Sequence, residues 1–351
     1  MKRLGKKQRE RFLRRQRAIR RSDTRQRRRL ERKRRAIALQ ICKSPFTRNQ
    51  VRLVAPAVFD IENDTNRRDL IRFLEDLRMH FKSKQASLLL IDFRHTLRFV
   101  ASGTLLFYAE LCRLLDYSRN VVVRCTEPQN QRASQVLQQI GVYALCHHPF
   151  HGRPTHRDVV HWRVARGHIV DASKYAQAIE VHEGKLAEPL VNGIYRGLAE
   201  AMTNVCHHAY IEQRDDGLGF DGTHDWWVFS QAKDGHLYVA LCDLGIGIPR
   251  TLPGKNPGLF KGLLQRFGVD PPDGNCIAAA IEDSRSRTGK PERGKGLGDI
   301  IEAVAGTSNG IAVVFSNQGC YTLRNGIEAV GTYRDSIRGT LISWSVPLGE
   351  N

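Results

Sequence analysis

The sequence has no uncharged apolar run that approaches the length of about 20 residues needed to cross a membrane. Its charged start is not followed by the apolar segment that a secretory signal peptide carries. The eight cysteines form no CxxC pair, and several lie inside apolar runs, as reduced core cysteines do. These absences argue against membrane-spanning and disulfide-stapled classes, and they predict a soluble, cytoplasmic protein.

Acidic residues are scarce at one end of the chain. Residues 1–35 hold 19 Lys and Arg against 3 acidic residues, a net charge of +16, whereas the rest of the chain carries only +3. The composition favours a helix that self-repulsion would fray, and such charge density binds polyanions regardless of their sequence. We predict a basic helical arm over residues 1–50 that contacts DNA or RNA through residues 1–35; a solubilising tail and a docking arm for acidic proteins are the alternatives. The arginines expected at the phosphates are Arg14, Arg15, Arg20, Arg21, Arg27, Arg28 and Arg29.

Apolar strands alternate with helical patterns over residues 51–150. Strands are predicted at residues 53–59, in SLLLIDF and in NVVVRC. Helices are predicted in DTNRRDLIRFLEDLRMHF, SGTLLFYAELCRLL and NQRASQVLQQIGV. Because the strands are apolar on both faces, we expect a sheet covered by helices, in a small α/β domain.

The segment LLLIDFRHTLRFVASGTLLFYAELCRLL resembles the strand, loop and helix at the centre of the STAS fold of anti-anti-sigma factors. In that family the loop reads Asp-Ser-Ser-Gly, and its second serine is phosphorylated. Here the loop reads Val100-Ala101-Ser102-Gly103 and lacks the preceding Asp and Ser, so two interpretations of Ser102 stay open. The resemblance makes Ser102 a phosphoacceptor candidate, whereas helix chemistry makes it an N-cap.

A histidine-rich segment, CHHPFHGRPTHRDVVHWRVARGH, follows this domain. Imidazoles bind transition metals, but the spacing here matches no paired-ligand motif. We therefore predict a polar linker over residues 151–164, with a metal site as the alternative. The histidines concerned are His147, His148, His151, His156, His161 and His168.

Three polar residues interrupt an otherwise apolar helical pattern at residues 187–210. Glu200, Asn204 and His208 are spaced at i, i+4 and i+8, so they share one helix face. Downstream, DLGIGIP places Asp243 at the end of a buried strand before two glycines, after a hairpin that turns at Asp234-Gly235. Further on, RGKGLGDII places glycines at a helix start, where backbone N–H groups meet phosphates. Antiparallel strands close the chain.

These motifs, in this order, resemble the GHKL (Bergerat-fold, histidine-kinase-like) ATP-binding superfamily, and EAMTNVCHHAY is similar to its anti-sigma serine kinase branch. The resemblance implies an ATP-binding α/β sandwich over residues 165–351, with a lid at 250–293. It implies that Glu200 orients or deprotonates the attacking group and that Asn204 holds Mg²⁺. It further implies that Asp243 accepts a hydrogen bond from adenine. The other ATP-binding residues that it implies are Gly245, Gly247, Gly294, Gly296, Gly298 and Thr340.

Three functions remain open at this point. The first is a Mg-ATP-dependent ATPase that acts as a bacterial regulatory switch, with a possible homodimer and a nucleic-acid-binding arm. The second is a serine kinase that acts on a STAS-domain partner or on Ser102. The third is a non-catalytic scaffold that binds ATP and nucleic acid. A histidine autokinase is not expected, because no helical hairpin fits before Glu200.

Overall fold

The computed structural model describes residues 50–82, 87–118, 120–149, 152–171, 188–218, 224–286 and 296–348. Over these ranges the chain is a mixed α/β protein with both parallel and antiparallel sheets, which confirms the predicted fold class. None of the helices in these ranges is both long enough and apolar enough to span a bilayer. The arm that contains the arginines at 14–29 lies outside them.

The N-terminal region contains two small parallel sheets with helices around them. One sheet has the order β1-β3-β5, and the other pairs β2 with β4. The strands are β1 (Gln50–Val54), β2 (Val58–Phe59), β3 (Ser87–Asp92), β4 (Arg98–Phe99) and β5 (Val121–Cys125). The helices are α1 (Asp64–Lys82), α2 (Ala101–Tyr117), α3 (Gln131–Gln139), α4 (Val142–Leu145) and α5 (Arg157–Val160).

The C-terminal region is built on one antiparallel sheet with the order β11-β10-β9-β12-β8-β7-β6. Its strands are β6 (Arg163–Gly167), β7 (Trp226–Lys233), β8 (His236–Asp243), β9 (Ile311–Ser316), β10 (Gly319–Arg324), β11 (Ile327–Thr332) and β12 (Thr340–Pro347). Its helices are α6 (Glu188–Asn204), α7 (Ile248–Lys255), α8 (Pro257–Phe267), α9 (Asp273–Ser286) and α10 (Gly296–Ala305). A π-helical turn, Val205–Ala209, continues α6.

Both faces of the central strands β7, β8, β9 and β12 are mostly buried, which explains why these strands are apolar without alternation. In β7, Trp226 and Val228 pack on the face covered by α6, α9 and α10. Trp227 and Phe229 pack on the opposite face, against the N-terminal region. Helix α2 lies on that face and contacts β7, β8 and β12.

The apolar core of residues 51–150 continues into the C-terminal region. A single apolar cluster runs from the N-terminal helices to the outer face of the large sheet. The described part of the predicted linker includes α5, and its residues Val159 and Trp162 are buried in the same cluster. The two regions therefore pack as one unit along this face.

Several local elements differ from the sequence-based expectations. The strand expected at 53–59 is broken into β1 and β2 around Pro56. Helix α2 is capped by Val100, so Ser102 lies inside the first turn and the N-cap interpretation is wrong. Strand β11 was not expected, because every one of its residues is exposed and its sequence has no apolar alternation. The region expected to form a lid, 250–293, is occupied by α7, α8 and α9 up to residue 286.

A buried ionic cluster joins α1, α2 and the loop after α6. Glu110 is fully buried and accepts hydrogen bonds from Arg78 Nε at 3.0 Å, Arg113 Nη1 at 3.1 Å and Arg214 Nη2 at 2.9 Å. Arg113 also donates to Asp216 at 2.6 Å. Desolvation alone would raise the pKa of Glu110, but Arg214, Arg78 and Arg113 outweigh it and hold that pKa far below its ordinary value. The cluster therefore stays charged in the interior.

Replacing Glu110 with glutamine is expected to lower the free energy of unfolding by about 3–5 kcal/mol, because it leaves buried arginines without a counter-charge. Urea denaturation of the purified protein measures this change. Glu75→Gln is the matched control, since Glu75 is half exposed and its only described ion pair, with Arg338, is 3.8 Å long. That exposed pair is worth about 0–1 kcal/mol. Equal losses in the two variants would contradict a structural role for the cluster.

Candidate functional site

A pocket lies between the end of α6, its π-helical turn, the end of β8, and helices α7, α9 and α10. The predicted site residues Asn204, Asp243, Gly247 and Thr340 all line it, although they come from widely separated parts of the sequence. Its enclosed volume is about 120 Å³. Sites for drug-sized ligands enclose about 300–1,000 Å³, so this pocket has enclosed room for only part of a ligand of that size.

Asp243 forms the floor of the pocket. It is the last residue of β8 and pairs in register with Thr340, the first residue of β12. Both side chains are buried, and Asp243 Oδ1 accepts a hydrogen bond from the Gly245 amide at 2.9 Å. Thr340 donates its backbone N–H and its hydroxyl to the same carboxylate. The carboxylate is therefore fixed in position at the sheet end.

Burial raises the pKa of Asp243 from 3.8 to about 6. Desolvation is the main cause, and the hydrogen bonds from Gly245 and Thr340, with Arg214, oppose it. An acidic group with a pKa near 6 is mostly ionised at pH 7 and becomes protonated as the pH falls one or two units below that. Asp243 is thus a buried hydrogen-bond acceptor whose state depends on pH.

Two glycines allow the chain to turn tightly after Asp243. A Cβ on Gly245 would lie 2.1 Å from the Ala209 carbonyl oxygen, so only glycine fits against the π-helical turn. That carbonyl accepts the Ile246 amide at 2.8 Å. Gly247 has φ +84°, which glycine adopts without strain, and it begins α7. The DLGIGIP motif therefore connects β8 to α7 and packs against the π-helical turn that follows Asn204.

The π-helical turn brings polar side chains to the rim of the pocket. Asn204 ends α6, and its Oδ1 accepts a hydrogen bond from Lys255 Nζ at 3.1 Å. His208, in the turn itself, lines the pocket as well. Desolvation lowers the pKa of His208, and the electrostatic influence of Lys255 and His207 lowers it further. The imidazole is therefore neutral at pH 7. Single π-helical turns of this kind are frequent at functional sites.

Glu200 lies one helical turn before Asn204 and is half buried. It does not line the pocket as enclosed here, and its carboxylate has no hydrogen bond or ion pair with any described residue. An unengaged carboxylate one turn from Asn204 is placed for a group that enters at the rim. The structure brings it near the site without showing a contact.

The glycine motif at the start of α10 is only partly described. Gly294 lies outside the described residues, and Gly296 is the first residue of α10. The Gly298 amide donates to Ser284 Oγ at 3.1 Å, and a Cβ on Gly298 would lie 2.9 Å from that oxygen. Ser284 and Leu297 both line the pocket, so the close contact between α9 and α10 forms one of its walls.

The sequence motifs did not identify several residues that shape the site. Tyr210 OH donates to the Asp225 carbonyl at 2.5 Å and accepts the Leu244 amide at 3.1 Å. Ser316 Oγ accepts the Ile248 amide at 2.8 Å and lies 3.2 Å from Thr340 Oγ1. Tyr210 is the last residue of the EAMTNVCHHAY segment, so its position after the asparagine helix was an available signal. Ser316 offered none, because only strand pairing brings it beside Thr340.

Ser102 lies away from this pocket. It lines a second cavity on the opposite face of the large sheet, is 1% exposed, and donates its hydroxyl to Glu62 Oε1 at 3.2 Å. No group of three or more His, Cys, Asp or Glu is arranged for a metal ion among the described residues, and this includes the described part of the histidine-rich segment. His151 is not among the described residues.

Comparison with protein-family models gives no match, and a search among curated proteins gives none either. What the pocket does must therefore follow from its own geometry and from the motifs that form it.

If Asp243 accepts the adenine amino group, as the resemblance implies, adenosine should bind more weakly below pH 6, because protonation of Asp243 removes that acceptor. Adenosine carries no phosphate that titrates in this range, so the pH dependence that calorimetry measures between pH 5 and 7.5 comes from the pocket residues Asp243 and His208, and the Asp243→Asn variant separates the two. Above pH 7 the affinity should level off, since Asp243 is then ionised. Asp243→Asn should bind about 1–3 kcal/mol more weakly at pH 7.5 and show little pH dependence. A pH profile unchanged by that substitution would contradict the role of Asp243.

Proposed function

We propose that this protein is a Mg-ATP-binding ATPase of the GHKL type that acts as a nucleotide-dependent regulatory switch. One observation carries the proposal. Asp243, Thr340 and Asn204 come from three separate sequence motifs, and all three line the same pocket, where Asp243 pairs with Thr340. Adenine would enter against the buried Asp243 acceptor. The phosphates would leave the enclosed part toward Asn204 and Lys255, where a cation already faces the rim.

The residues at the rim fit a magnesium–phosphate group. Mg²⁺ takes oxygen ligands, and Asn204 presents an amide oxygen whose described hydrogen bond comes from the side chain of Lys255. When bound, the ion would neutralise charge on the phosphates. Lys255 would then turn its ammonium toward a phosphate oxygen. The neutral His208 imidazole next to them adds no like charge to either cation.

Glu200 supports turnover rather than passive binding. A carboxylate that no described residue engages can accept the proton of an attacking water, or orient that water, one turn from Asn204. The scaffold alternative requires no such group.

In the serine-kinase alternative, Ser102 is a poor candidate for the serine that accepts the phosphate. The Ser102 hydroxyl is buried, already donates to Glu62, and lines a cavity that shares no residue with the nucleotide pocket. Transfer to Ser102 of the same chain would require the shared apolar cluster to open. Kinase activity on a separate STAS-domain partner remains as the second candidate.

Purified protein with Mg²⁺-ATP is expected to release phosphate while its intact mass stays constant. Glu200→Gln should reduce phosphate release about 100-fold or more and leave ATP affinity within a factor of about two or three, because Glu200 acts on the nucleophile rather than on the nucleotide. Glu302→Gln, an exposed glutamate on α10, is the matched control and should hydrolyse ATP normally.

Two results would count against this proposal. Undiminished hydrolysis in Glu200→Gln would remove the assigned catalytic carboxylate. A stoichiometric mass gain of one phosphate, abolished by Ser102→Ala, would replace the ATPase by a serine kinase.

We further propose that residues 1–35 bind DNA or RNA through phosphate contacts, on the basis of their charge. A truncated protein without residues 1–35 should keep its ATP affinity and melting temperature but lose most nucleic-acid affinity, measured by fluorescence anisotropy. In the full chain that affinity should fall steeply with salt and depend little on sequence. Binding that survives either the truncation or high salt would exclude the arm as the contact.

A further inference from the structure

Strand β11 forms one edge of the large sheet, and every one of its residues is exposed. Ile327 is 73% exposed and Val330 is 46% exposed. In the described part of the chain its only strand neighbour is β10, with which it pairs in unbroken antiparallel register over 6 residues. A regular edge strand with exposed apolar side chains is a template for pairing with another strand.

The sequence of β11 carries none of the features that usually block such an edge. It has no lysine, no proline and no bulge, and its only charged residue is Glu328. Arg285, on α9, donates to Glu328 Oε1 at 2.6 Å, and this contact holds the pKa of Glu328 below its ordinary value. The negative charge is therefore balanced within the same subunit and does not repel an incoming strand.

The backbone of β11 offers hydrogen bonds at alternate residues. The Tyr333 amide, just beyond β11, donates to the Gln318 carbonyl at 2.7 Å, and hydrogen-bonded pairs alternate along two antiparallel strands. The residues that bond to β10 by this alternation are Ile327, Ala329 and Gly331. The residues whose N–H and C=O groups point away from β10 are Glu328, Val330 and Thr332.

A second copy of β11 supplies a matching set of groups about a two-fold axis. Two antiparallel edges bond only where outward-pointing residues face each other. The register that pairs all of these residues in both copies places Val330 opposite the partner's Val330 and Glu328 opposite the partner's Thr332. In this register two β-branched side chains meet at the axis, and the carboxylate meets a hydroxyl group rather than a second carboxylate.

Helix α9 holds β11 in place for such a contact. Arg285 binds Glu328 near one end of the strand, and the Gly274 amide donates to Thr332 Oγ1 at 3.4 Å at the other end. A Cβ on Gly274 would lie 2.3 Å from the Gly331 carbonyl oxygen, so the start of the helix lies directly against the strand. Because β11 is already ordered, pairing costs less conformational entropy than it would for a free segment.

We propose that two copies of this chain associate through β11, antiparallel and about a two-fold axis at Val330, so that their large sheets become one continuous sheet. A single strand pair is a smaller contact than the roughly 1,200–2,000 Å² that stable complexes bury, so the dimer should dissociate on dilution. The surface does not include the nucleotide pocket, so the proposal stands even if the proposed ATPase activity fails.

Sedimentation velocity on the full chain, freed of nucleic acid, is the first measurement. The sedimentation coefficient should rise from that of a monomer to that of a dimer between low and high micromolar concentration. Val330→Lys should weaken the dimer about tenfold or more, because it places two ammonium groups opposite each other at the axis. Val54→Lys is the matched control, since it makes the same change at a strand valine of another sheet that is 56% exposed.

Cysteine cross-linking tests the register. Directly opposed hydrogen-bonded residues have Cα atoms about 5.5 Å apart, a distance that a disulfide spans. Val330→Cys should therefore form a disulfide between subunits under mild oxidation. Glu328→Cys should not, because the two copies of that residue lie about 13 Å apart along the paired strands. The unsubstituted protein sets the background from the native cysteines, and melting temperatures check that each variant folds.

Four results would overturn the proposal. One is a chain that stays monomeric at high micromolar concentration, which would leave the edge to a strand of another protein. The second is a Val330→Lys variant that dimerises as well as Val54→Lys. The third is equal cross-linking by Glu328→Cys and Val330→Cys. The last is growth beyond a dimer, because pairing of one edge with itself about a two-fold axis closes after two subunits.

Discussion

The fold depends on one buried charge, Glu110, and on the three arginines that surround it. An ionised carboxylate in the interior is tolerated only when nearby groups neutralise its charge and donate hydrogen bonds to its oxygens. Arg78, Arg113 and Arg214 supply both the positive charge and the hydrogen bonds. These arginines belong to α1, α2 and the loop that follows the π-helical turn. Helix α2 must therefore lie on the outer face of the large sheet, and the loop that follows the π-helical turn must reach it. Apolar packing alone would fix neither the orientation of α2 nor the path of that loop.

The same cluster acts electrostatically on Asp243, in the proposed nucleotide pocket. Desolvation is the main cause that lowers the pKa of Arg214 to about 10, and repulsion from Arg78 and Arg113 adds to this effect. Arg214 therefore stays charged at pH 7. Arg214 in turn lowers the pKa of Asp243, which desolvation has raised. The cluster itself carries three positive and two negative side chains. Asp243 supplies a further buried negative charge within its field, so the acidity of the proposed adenine acceptor is tied to the packing of the N-terminal region.

Sequence patterns predicted the elements that depend on local chemistry. The Asp234-Gly235 turn, the strand ending at Asp243 and the helix carrying Asn204 are all present where periodicity and turn residues placed them. The arrangement of the two regions was not predictable in this way. Glu110 interrupts an apolar helix much as Glu200 does, but its partners Arg78 and Arg214 lie 32 and 104 residues away. Local patterns do not encode such pairings, and the same is true of Ser316 beside Thr340.

The two cavities lie on opposite faces of the same strands, and this placement sets what a regulatory switch in this protein would require. Strands β8 and β12 contribute Asp243 and Thr340 to the nucleotide pocket, and Tyr238 and Ser343 to the second cavity. A ligand in one cavity changes affinity in the other only if it binds two arrangements of this shared sheet unequally. The rigid pairing of β8 with β12 over eight residues opposes a change within the sheet itself. The loop carrying Arg214 and the contact of α2 with the outer face are the places where two arrangements can differ, because both are held by ionic and side-chain contacts rather than by strand hydrogen bonds. Coupling between the two faces of the sheet is therefore expected to pass through the Glu110 cluster, which joins α2 to that loop.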